Sequence, residues 1–428
     1  HMSVGSANFE NARSAHAFDV VVVGGGMAGL AFAGALAPSG VSIAVVDNVF
    51  PAGPDQFAAG FDLRVSALTH ASENLLRYVG AWDHMAAVRV APYQRMHVWD
   101  GEGSGNIEFD AAAAGVTHLG HLVENRVTTW GLWQALQSHS NISSISEGLD
   151  RLDTTGALPL VYLSSGRVLR ASLVIGADGA RSRVREQAGL AVRAWPYGQN
   201  AIVTTLQCEK PHQNTAWQVF TPSGPLALLP LREHNAQQNS HICSIVWSQE
   251  EAHANRLMAL SDEAFCESLT RTFENRLGQV RLLDRRIVFP LRQQHAKHYV
   301  APGVALIGDA AHTIHPLAGQ GINLGFMDAA TLAEVLGDGI AQGLPINEFS
   351  LLRRYQRRRM TPNLTMMAAM ETFKRLFGPS AWPLHLLRNW GMSQVDRHTL
   401  IKQQVVDRAL GLTGDFPRFA QADLRVTL

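Results

Sequence analysis

The fold is decided by the segment Phe18-Asp19-Val20-Val21-Val22-Val23-Gly24-Gly25-Gly26-Met27-Ala28-Gly29, which lies near the start of the 428-residue chain. Its β-branched half is short enough for a buried parallel strand, and the apolar, alanine-rich residues after it favour a helix. A second β-branched run, Val41 to Val46, ends at Asp47. Strand, glycine turn, helix, second strand and terminal acid in one unit predict a dinucleotide-binding fold. The alternative is a glycine-rich turn in an ordinary α/β unit.

Three glycines of this segment have predicted roles. Gly24 permits the tight turn, Gly26 lets the backbone approach a pyrophosphate, and Gly29 allows the helix to contact the strand closely. The N–H groups at the start of the helix face the phosphate charge. Asp47 closes the second strand, at the place where a ribose hydroxyl is accepted. This unit alone does not distinguish one dinucleotide from another.

Two later segments have a related form, an apolar strand that ends in glycine and aspartate. The first is Gly176-Ala177-Asp178-Gly179. The second is Gly308-Asp309, which is followed by the turn Pro316-Leu317-Ala318-Gly319-Gln320-Gly321 and by a helix from about Ile322. An NAD-dependent dehydrogenase would account for the glycine turn near the start of the chain but would leave these two segments without a role.

The three segments together resemble the class A flavin-dependent aromatic hydroxylases and, within them, the ubiquinone-biosynthesis hydroxylase family. The resemblance covers nearly the whole chain and also depends on Asp62 to Leu68, His121 to Asn125 and His315 to Gly325. It is greatest toward members that hydroxylate C5 of a polyprenylphenol, through Val246-Trp247-Ser248 and through Asn323 to Ala330.

The resemblance implies which residues bind FAD. Arg64 faces the flavin, Asp178 and Gly179 belong to a segment associated with both FAD and reduced nicotinamide, and Asp309 holds the ribityl-side hydroxyls. The complete predicted set is Gly24, Gly26, Gly29, Asp47, Arg64, Asp178, Gly179, Asp309, Pro316, Gly319, Gln320, Gly321 and Asn323. Thr129 departs from the family pattern, because many relatives have an arginine or glutamine there for a diphosphate or ribose contact.

The activity implied by the resemblance is an FAD-dependent monooxygenase that uses NAD(P)H and O2 to hydroxylate an aromatic ring. The expected substrate is a polyprenylphenol precursor of ubiquinone, with the C5 position favoured. The alternatives are another ring position, an unrelated aromatic compound, or a non-catalytic scaffold subunit of a ubiquinone-biosynthesis complex. The scaffold alternative would predict weak flavin binding.

No catalytic base is assigned from the sequence. His312 and His315 are the candidates for a base, because they lie near the predicted flavin loop and a histidine titrates near neutral pH. His315 and Pro316 are the catalytic positions expected beside the flavin. His312 and His315 also fit the role of packed or hydrogen-bonded loop residues. Their i, i+3 spacing has no third ligand cluster beside it, so no metal site is predicted.

Two apolar segments, Thr215 to Leu231 and His241 to Trp247, are predicted as strands of a substrate domain. The residues expected to form an apolar wall on the flavin side are Trp217, Phe220, Leu228 and Val246. Most residues of this kind are simply core. An uncharged pocket nevertheless suits a long isoprenoid tail, because each buried CH2 contributes about 0.8 kcal/mol.

The predicted fold class is α/β, with a Rossmann-like FAD-binding domain built on a parallel sheet, an interleaved β-sheet substrate domain and a helical C-terminal tail. The predicted divisions are a disordered leader with a cloning scar at 1–17, the FAD-binding domain at 18–80, 116–192 and 296–350, the substrate domain at 81–115 and 193–295, and the helical C-terminal region at 351–428.

Composition narrows the partners. Lys and Arg total 36 and Asp and Glu total 36, so the formal net charge is zero. The chain therefore has no overall positive charge that would attract nucleic acid. The three cysteines, Cys208, Cys243 and Cys266, fit neither a disulfide framework nor a paired metal site, which favours a reducing cytoplasm. No apolar run of about 18 residues predicts a membrane span.

The C-terminal region carries five arginines between Arg353 and Arg359, followed by aromatic and basic groups. This pattern predicts contact with a membrane surface or with a ubiquinone-biosynthesis complex, or else a solvated basic face on packed helices. The protein is therefore expected in the cytoplasm, peripheral to the membrane if that contact is made. A homo-oligomer is left open.

Overall fold

The computed structural model describes residues 15–58, 60–101, 105–233, 240–314, 321–377 and 416–422. The first ten strands in these residues are β1 (His16–Val23), β2 (Ile43–Val46), β3 (Val65–Leu68), β4 (Ala91–Tyr93), β5 (Arg95–Asp100), β6 (Asn106–Asp110), β7 (Gly120–Glu124), β8 (Ile142–Ile145), β9 (Leu149–Asp153) and β10 (Leu160–Leu163). The later strands are β11 (Val168–Gly176), β12 (Val192–Cys208), β13 (Thr215–Thr221), β14 (Gly224–Pro230), β15 (Ile242–Glu250), β16 (Val280–Leu282), β17 (Ile287–Ala296), β18 (Val300–Ala301), β19 (Val304–Leu306) and β20 (His312–Thr313).

The helices of the described residues lie between these strands and after them. They are α1 (Met27–Leu36), α2 (His70–Tyr78), α3 (Trp82–Val88), α4 (Asn125–Leu136), α5 (Arg183–Gln187), α6 (Glu251–Ala259), α7 (Asp262–Thr272), α8 (Gly321–Ala341) and α9 (Phe349–Phe377).

The first sheet has β18, β19, β11, β1, β2 and β8 in this order, and β10 and β9 continue it from β11. Its centre is parallel, from β19 through β11, β1 and β2 to β8. The runs Val20 to Val23 and Ile43 to Val46 are buried along their whole length. Strands covered on both faces have this unbroken apolar pattern, which is why the sequence predicts them correctly.

Helix α1 packs along α8 on this sheet, and α9 packs on α8 in turn. The hydroxyl of Tyr355 in α9 donates a hydrogen bond of 2.6 Å to the carbonyl oxygen of Leu306, at the end of β19. The first part of the C-terminal helical region therefore belongs to the hydrophobic core built on the first sheet. Arg353, Arg354 and Arg357 are its exposed arginines among the described side chains.

The second sheet follows the order β20, β17, β12, β15, β14, β13, β5 and β6. One face is covered by α6 and α7, and the other faces the small sheet formed by β3, β7 and β4. The predicted α/β class, with a parallel sheet interleaved with a second β-sheet unit, is confirmed. The domain boundaries themselves stay predictions.

Two further observations bear on the sequence-based expectations. The thiols of Cys208 and Cys243 are free and buried, and the two residues lie on the neighbouring strands β12 and β15. Their distance along the chain had hidden this proximity.

Among the helices of the described residues, none has both the length and the apolar character needed to cross a bilayer.

Candidate active site

The carboxyl ends of four parallel strands meet at one edge of the first sheet. In the register, Val23 pairs with both Val46 and Gly176, and Gly176 also pairs with Leu306. The three predicted segments begin at or within two residues of these positions: at Gly24, Gly176 and Gly308. Neighbouring strands are about 4.8 Å apart, so the site extends roughly 14 Å from β2 to β19. The structure therefore brings the three segments together.

The first glycine turn is shaped by close backbone contacts. Gly24 has a φ of 117°, and a Cβ at this position would overlap the carbonyl oxygen of Ala177. A Cβ at Gly29 would overlap the carbonyl oxygen of Gly24. A Cβ at Gly26, in contrast, would meet no protein atom within 4 Å. Gly24 and Gly29 thus serve the packing, whereas Gly26 leaves open space at the start of α1, where a pyrophosphate fits.

The carboxylate of Asp47 is held against the same turn. Its Oδ2 accepts a hydrogen bond of 2.7 Å from the amide of Gly25, and the residue is only partly buried. A Cβ on Gly25 would lie 2.8 Å from Cε1 of Phe50. Gly25 is therefore more constrained than Gly26 and less so than Gly24, although the sequence motif assigns it no role. The second carboxylate oxygen of Asp47 is not used in the bond to Gly25.

The carboxylate of Asp178 organises its own turn. It accepts hydrogen bonds from the hydroxyl of Ser182 and from the amides of Arg183 (2.8 Å) and Val184 (3.2 Å), so it satisfies backbone donors at the start of α5. Gly179, with a φ of 83°, permits the bend between them. A direct contact of this segment with FAD or nicotinamide stays a prediction.

Arg185 links two of the three segments, and the sequence motifs do not reveal it. The side chain is buried and donates hydrogen bonds of 3.0 Å to the carbonyl oxygens of Ala180 and Ala310. It therefore fixes the turn after Asp178 relative to the turn that carries Asp309. Burial lowers the pKa of Arg185, and Asp178 acts in the opposite direction.

Asp309 lies in an open cleft. Its side chain is accessible to solvent, yet the protein around it is dense enough that desolvation raises the pKa of its carboxyl. Both observations fit a carboxylate at the bottom of a cleft that a ligand fills. The positive charge of Arg64 opposes this rise in pKa, which places the two predicted cofactor residues near one another.

Behind Asp309, a buried ionic network holds the turn in place. Oδ2 of Asp328 accepts hydrogen bonds from the amide of Gly308 (3.0 Å) and from Nε2 of His312, and its Oδ1 accepts one from Arg359 (2.7 Å). Burial alone would raise the pKa of Asp328, but the charges of His312 and Arg359 outweigh it and lower the pKa to about 2. His312 thus occupies a packed structural position.

Arg64 is positioned by the segment that contains Glu124. The carboxylate of Glu124 is buried, accepts from the amide of Asp62 (2.7 Å) and forms an ion pair with Arg89. The amide of Asn125 donates to the carbonyl oxygen of Arg64 (2.9 Å). These bonds explain why the two resemblance segments occur together, since one anchors the other.

The start of α8 lies against the start of α1. Gly308 has a φ of 63°, and a Cβ there would lie 3.3 Å from the Cβ of Ala28 in α1. A Cβ on Gly325 in α8 would lie 3.3 Å from the Cα of Gly308. Because these residues are small, the positive ends of two helices converge on the same edge of the sheet. This arrangement fits a ligand that carries negative charge at two places.

Not every predicted cofactor residue can be placed in the cleft. His315, Pro316, Gly319 and Gln320 lie outside the described residues, and Gly321 is the first residue of α8.

The side chain of Asn323 forms hydrogen bonds within the protein. Its amide oxygen accepts from the hydroxyl of Ser72 (2.6 Å) and the amide of Thr69 (3.1 Å), and its amide nitrogen donates to Ala67 (2.9 Å). It therefore joins α8 to β3 and α2, and its contact with FAD stays a prediction. Thr129 likewise bonds within its own helix, to the carbonyl oxygen of Asn125 (2.9 Å).

The four predicted substrate residues lie on two different faces of the second sheet. Trp217 and Leu228 pack into the cluster beneath α6 and α7. Val246 contacts the opposite clusters, together with Phe289, and Phe220 shares this direction because side chains alternate along β13. The structure therefore does not bring Trp217 and Leu228 to the face that Phe289 and Val246 occupy, and these two serve the core.

Arg64 connects that face to the cofactor cleft. Its guanidinium lies 5.5 Å from the ring centroid of Phe289. A cavity of about 560 Å³ opens beside it, lined by Phe61 and Ile287 and by charged residues that include Asp62, Arg126 and Arg285. This cavity is therefore not the uncharged pocket expected for an isoprenoid tail. The volume is in the range of small-molecule sites. The cavity thus adjoins both the nucleotide-binding half and the second sheet.

Comparisons with known proteins agree with this geometry. The family model described as FAD binding domain matches residues 17–362. The 3-demethoxyubiquinol 3-hydroxylase of Escherichia coli is 40% identical over 395 residues, which cover 92% of this chain and 98% of that protein. The human mitochondrial ubiquinone biosynthesis monooxygenase COQ6 is 33% identical over 440 residues, which cover 91% of this chain and 92% of that protein.

Among solved structures, the p-nitrophenol 4-monooxygenase PnpA of Pseudomonas putida has a TM-score of 0.74 at 20% identity and covers 94% of this chain and 99% of its own. At that identity the likeness shows the fold alone. The family match and the sequence identities go further and confirm the resemblance predicted from the sequence. The chain therefore belongs to the FAD-binding aromatic monooxygenases that include the ubiquinone-biosynthesis hydroxylases.

Proposed function

We propose that this monooxygenase hydroxylates the ring of a polyprenylphenol precursor of ubiquinone, with NAD(P)H as the electron donor and C5 as the favoured position. The observation that carries the proposal is the position of Arg64. Its charge acts on Asp309 in the cofactor cleft, and its guanidinium lies over Phe289 on the apolar face of the second sheet. An aromatic ring held on that face would lie beside the flavin.

The residues of the cleft have distinct tasks in this proposal. Bound FAD supplies the electron transfer and the oxygen activation, which side chains cannot provide. Backbone amides at the start of α8 would stabilise negative charge on the flavin, an effect worth roughly 0.3–1 kcal/mol and up to about 2 kcal/mol when partly buried. Asp309 would accept hydrogen bonds from the ribityl hydroxyls, and Asp47 would accept hydrogen bonds from the hydroxyls of the adenosine ribose.

The second sheet would hold the substrate and exclude water. Val246 and Phe289 belong to an apolar surface that continues through Ala201 and Leu291. Each CH2 of an isoprenoid tail buried on such a surface contributes about 0.8 kcal/mol, so a few isoprene units supply several kcal/mol. The substrate class is thereby supported by the apolar character of the face as well as by the names of the relatives.

The ring position needs a direct test. One relative is named as a 3-hydroxylase of demethoxyubiquinol, whereas the sequence segments favour C5. The FAD-loaded protein should be supplied with NADH or NADPH, 18O2 and a polyprenylphenol of short chain length. We expect one 18O atom in the product by mass spectrometry, and NMR of that product assigns the position.

Two outcomes of that experiment would contradict the proposal. If every polyprenylphenol yields only hydrogen peroxide, the substrate class is wrong. If hydroxylation occurs at another ring carbon, the class stands and the C5 assignment fails. Contact of residues 351–428 with a membrane or a biosynthetic complex, and self-association, stay predictions of their own.

A further inference from the structure

Four side chains outside the cofactor cleft form a compact cluster of imidazoles around one carboxylate. His70 and Glu73 lie on α2, three residues apart. His118 and His121 have the same spacing, with His118 just before β7 and His121 within it. The rings of His70 and His118 stack at 4.6 Å, and those of His118 and His121 meet at 4.4 Å. We propose that this cluster binds a divalent cation of the zinc class.

The donor atoms are spaced as a small metal site requires. Oε2 of Glu73 lies 3.0 Å from Nε2 of His118 and 3.1 Å from Nδ1 of His121. One ligand atom from each of His70, Glu73 and His118 lies within 4.8 Å of the other two. Ligand atoms around tetrahedral zinc, at metal distances of about 2.0–2.1 Å, lie roughly 3.3–3.4 Å apart. The observed separations of 3.0 Å to at most 4.8 Å therefore bracket the spacing that a tetrahedral site needs.

The hydrogen bonds outside the cluster orient the donor atoms. Nε2 of His70 lies 2.8 Å from the carbonyl oxygen of His118. A carbonyl can only accept, so Nε2 carries the hydrogen and Nδ1 of the neutral ring carries the lone pair. Nδ1 of His118 lies 2.9 Å from the hydroxyl of Thr117, which is able to accept its hydrogen when Nε2 binds a cation. Metal-binding histidines usually have such an outer partner.

The chemistry of the donor set suits a cation. A carboxylate oxygen and imidazole nitrogens are the ligands that zinc binds in many protein sites. Glu73 and the three histidines supply these donors from two separate elements of the fold.

The rest of the surroundings leave the site accessible. Arg77 forms an ion pair with Oε1 of Glu73, so Oε2 remains directed at the imidazoles. His70 and His118 are only partly buried, which opens a path from solvent. The sequence analysis predicted no metal site. The four ligands occur as two pairs that lie far apart along the chain, so no single motif contains them. Only antiparallel pairing of β3 with β7 brings these elements together.

The test is zinc binding by the full-length FAD-loaded protein after removal of metals with a chelator. We expect one tightly held zinc per chain by elemental analysis, and a visible absorption spectrum of tetrahedral type when Co2+ is used instead. His118→Ala and Glu73→Gln should each weaken zinc binding at least tenfold. The matched control is His84→Ala, which removes an exposed histidine on α3 and should leave zinc binding unchanged.

His70→Gln provides a second variant that should fold normally, because His70 is only partly buried. Retained FAD and an unchanged circular dichroism spectrum identify the variants that are folded. The proposal is overturned if the wild-type protein retains no zinc from a micromolar solution. It is equally overturned if folded His70→Gln and His118→Ala bind zinc as tightly as His84→Ala does.

Discussion

The amide of Gly308 donates a hydrogen bond of 3.0 Å to Oδ2 of Asp328, so the turn that presents Asp309 to the cleft is held by a carboxylate of helix α8. Asp328 is fully buried and is also paired with His312 and Arg359. The cofactor turn, the cofactor helix and the C-terminal helix α9 are thereby joined at one residue. Removal of the Asp328 carboxylate should therefore lower both the stability of the fold and the affinity for FAD.

Asp328→Asn should lower the free energy of unfolding by about 3–5 kcal/mol, because it leaves Arg359 buried without its counter-charge. The measurement is urea unfolding of the FAD-free protein, followed by the dissociation constant for FAD. Asp338→Asn on the same helix is the control, since its ion pair with Arg418 is partly exposed and should be worth no more than about 1 kcal/mol. Equal effects of the two variants would contradict the network.

The contribution of Asp328 should depend on pH in the acid range. Its pKa in the folded protein is about 2, below the value of about 3.9 expected in the unfolded chain. The stabilisation is therefore complete above about pH 4 and is lost as the pH falls toward 2, a difference of about 2–3 kcal/mol. Unfolding of wild type and Asp328→Asn at several pH values measures it. A difference that stays constant below pH 4 would refute the assignment.

The glycines of the first turn should separate packing from cofactor binding. Gly26→Ala adds a methyl group where no protein atom lies within 4 Å, so the FAD-free protein should keep its stability within about 1 kcal/mol. Its FAD affinity should fall at least tenfold, because the methyl group occupies the space of the pyrophosphate. Gly29→Ala should in addition destabilise the fold by about 1–3 kcal/mol, since its Cβ overlaps the backbone of Gly24.

Gly337→Ala in α8 is the control for both glycine variants. It lies in a helix interior with open space around it, so alanine should stabilise the protein by about 0.5–1 kcal/mol and leave FAD affinity unchanged. For each variant, calorimetric titration gives the dissociation constant for FAD, and urea unfolding gives the free energy of unfolding. If Gly26→Ala binds FAD as the wild type does, the pyrophosphate is not at this turn.

The sequence predicts the cofactor edge well because each part of it is local. An apolar run followed by glycine or aspartate identifies a strand and its end, as at Gly24, Asp47, Asp178 and Asp309. Four such strands in one parallel sheet must end at the same edge. The residues that hold these ends are not local: Arg185 reaches Ala310, and the partners of Asp328 come from three other elements. No pattern along the chain reveals them.

The substrate face shows a different limit. Strands β13, β14 and β15 are buried on both faces, one under α6 and α7 and one toward β3, β7 and β4. Alternation along a strand sorts residues into two sets, but it does not say which set faces the cofactor. Trp217 and Leu228 belong to one set and Phe220 and Val246 to the other. Only the position of Phe289 beneath Arg64 distinguishes them.

This assignment of faces can be tested with one pair of variants. Leu228→Ala removes a fully buried side chain and should cost about 2–5 kcal/mol of stability, with KM for the polyprenylphenol unchanged in the folded enzyme. Val246→Ala should cost only about 1 kcal/mol and should raise KM, because it removes apolar area from the proposed substrate face. Steady-state kinetics and urea unfolding give both values. A raised KM for Leu228→Ala alone would reverse the two faces.

Asp309 should contribute to FAD binding through its charge rather than to the stability of the fold. Its carboxylate is accessible to solvent, and desolvation by the surrounding protein raises its pKa, so the FAD-free protein gains little from keeping it ionised. A hydrogen bond from a ribityl hydroxyl to a charged acceptor is worth about 1.5–3 kcal/mol, which corresponds to a loss of roughly 10- to 150-fold in affinity for Asp309→Asn. Fluorescence titration of the FAD-free protein measures this loss, and Asp83→Asn, an exposed acid on α3, is the control. The free energy of unfolding of FAD-free Asp309→Asn should equal that of the wild type or be slightly larger, because the substitution removes a carboxylate whose charge the cleft disfavours. Lower stability together with unchanged FAD affinity would instead place Asp309 among the structural residues of the turn.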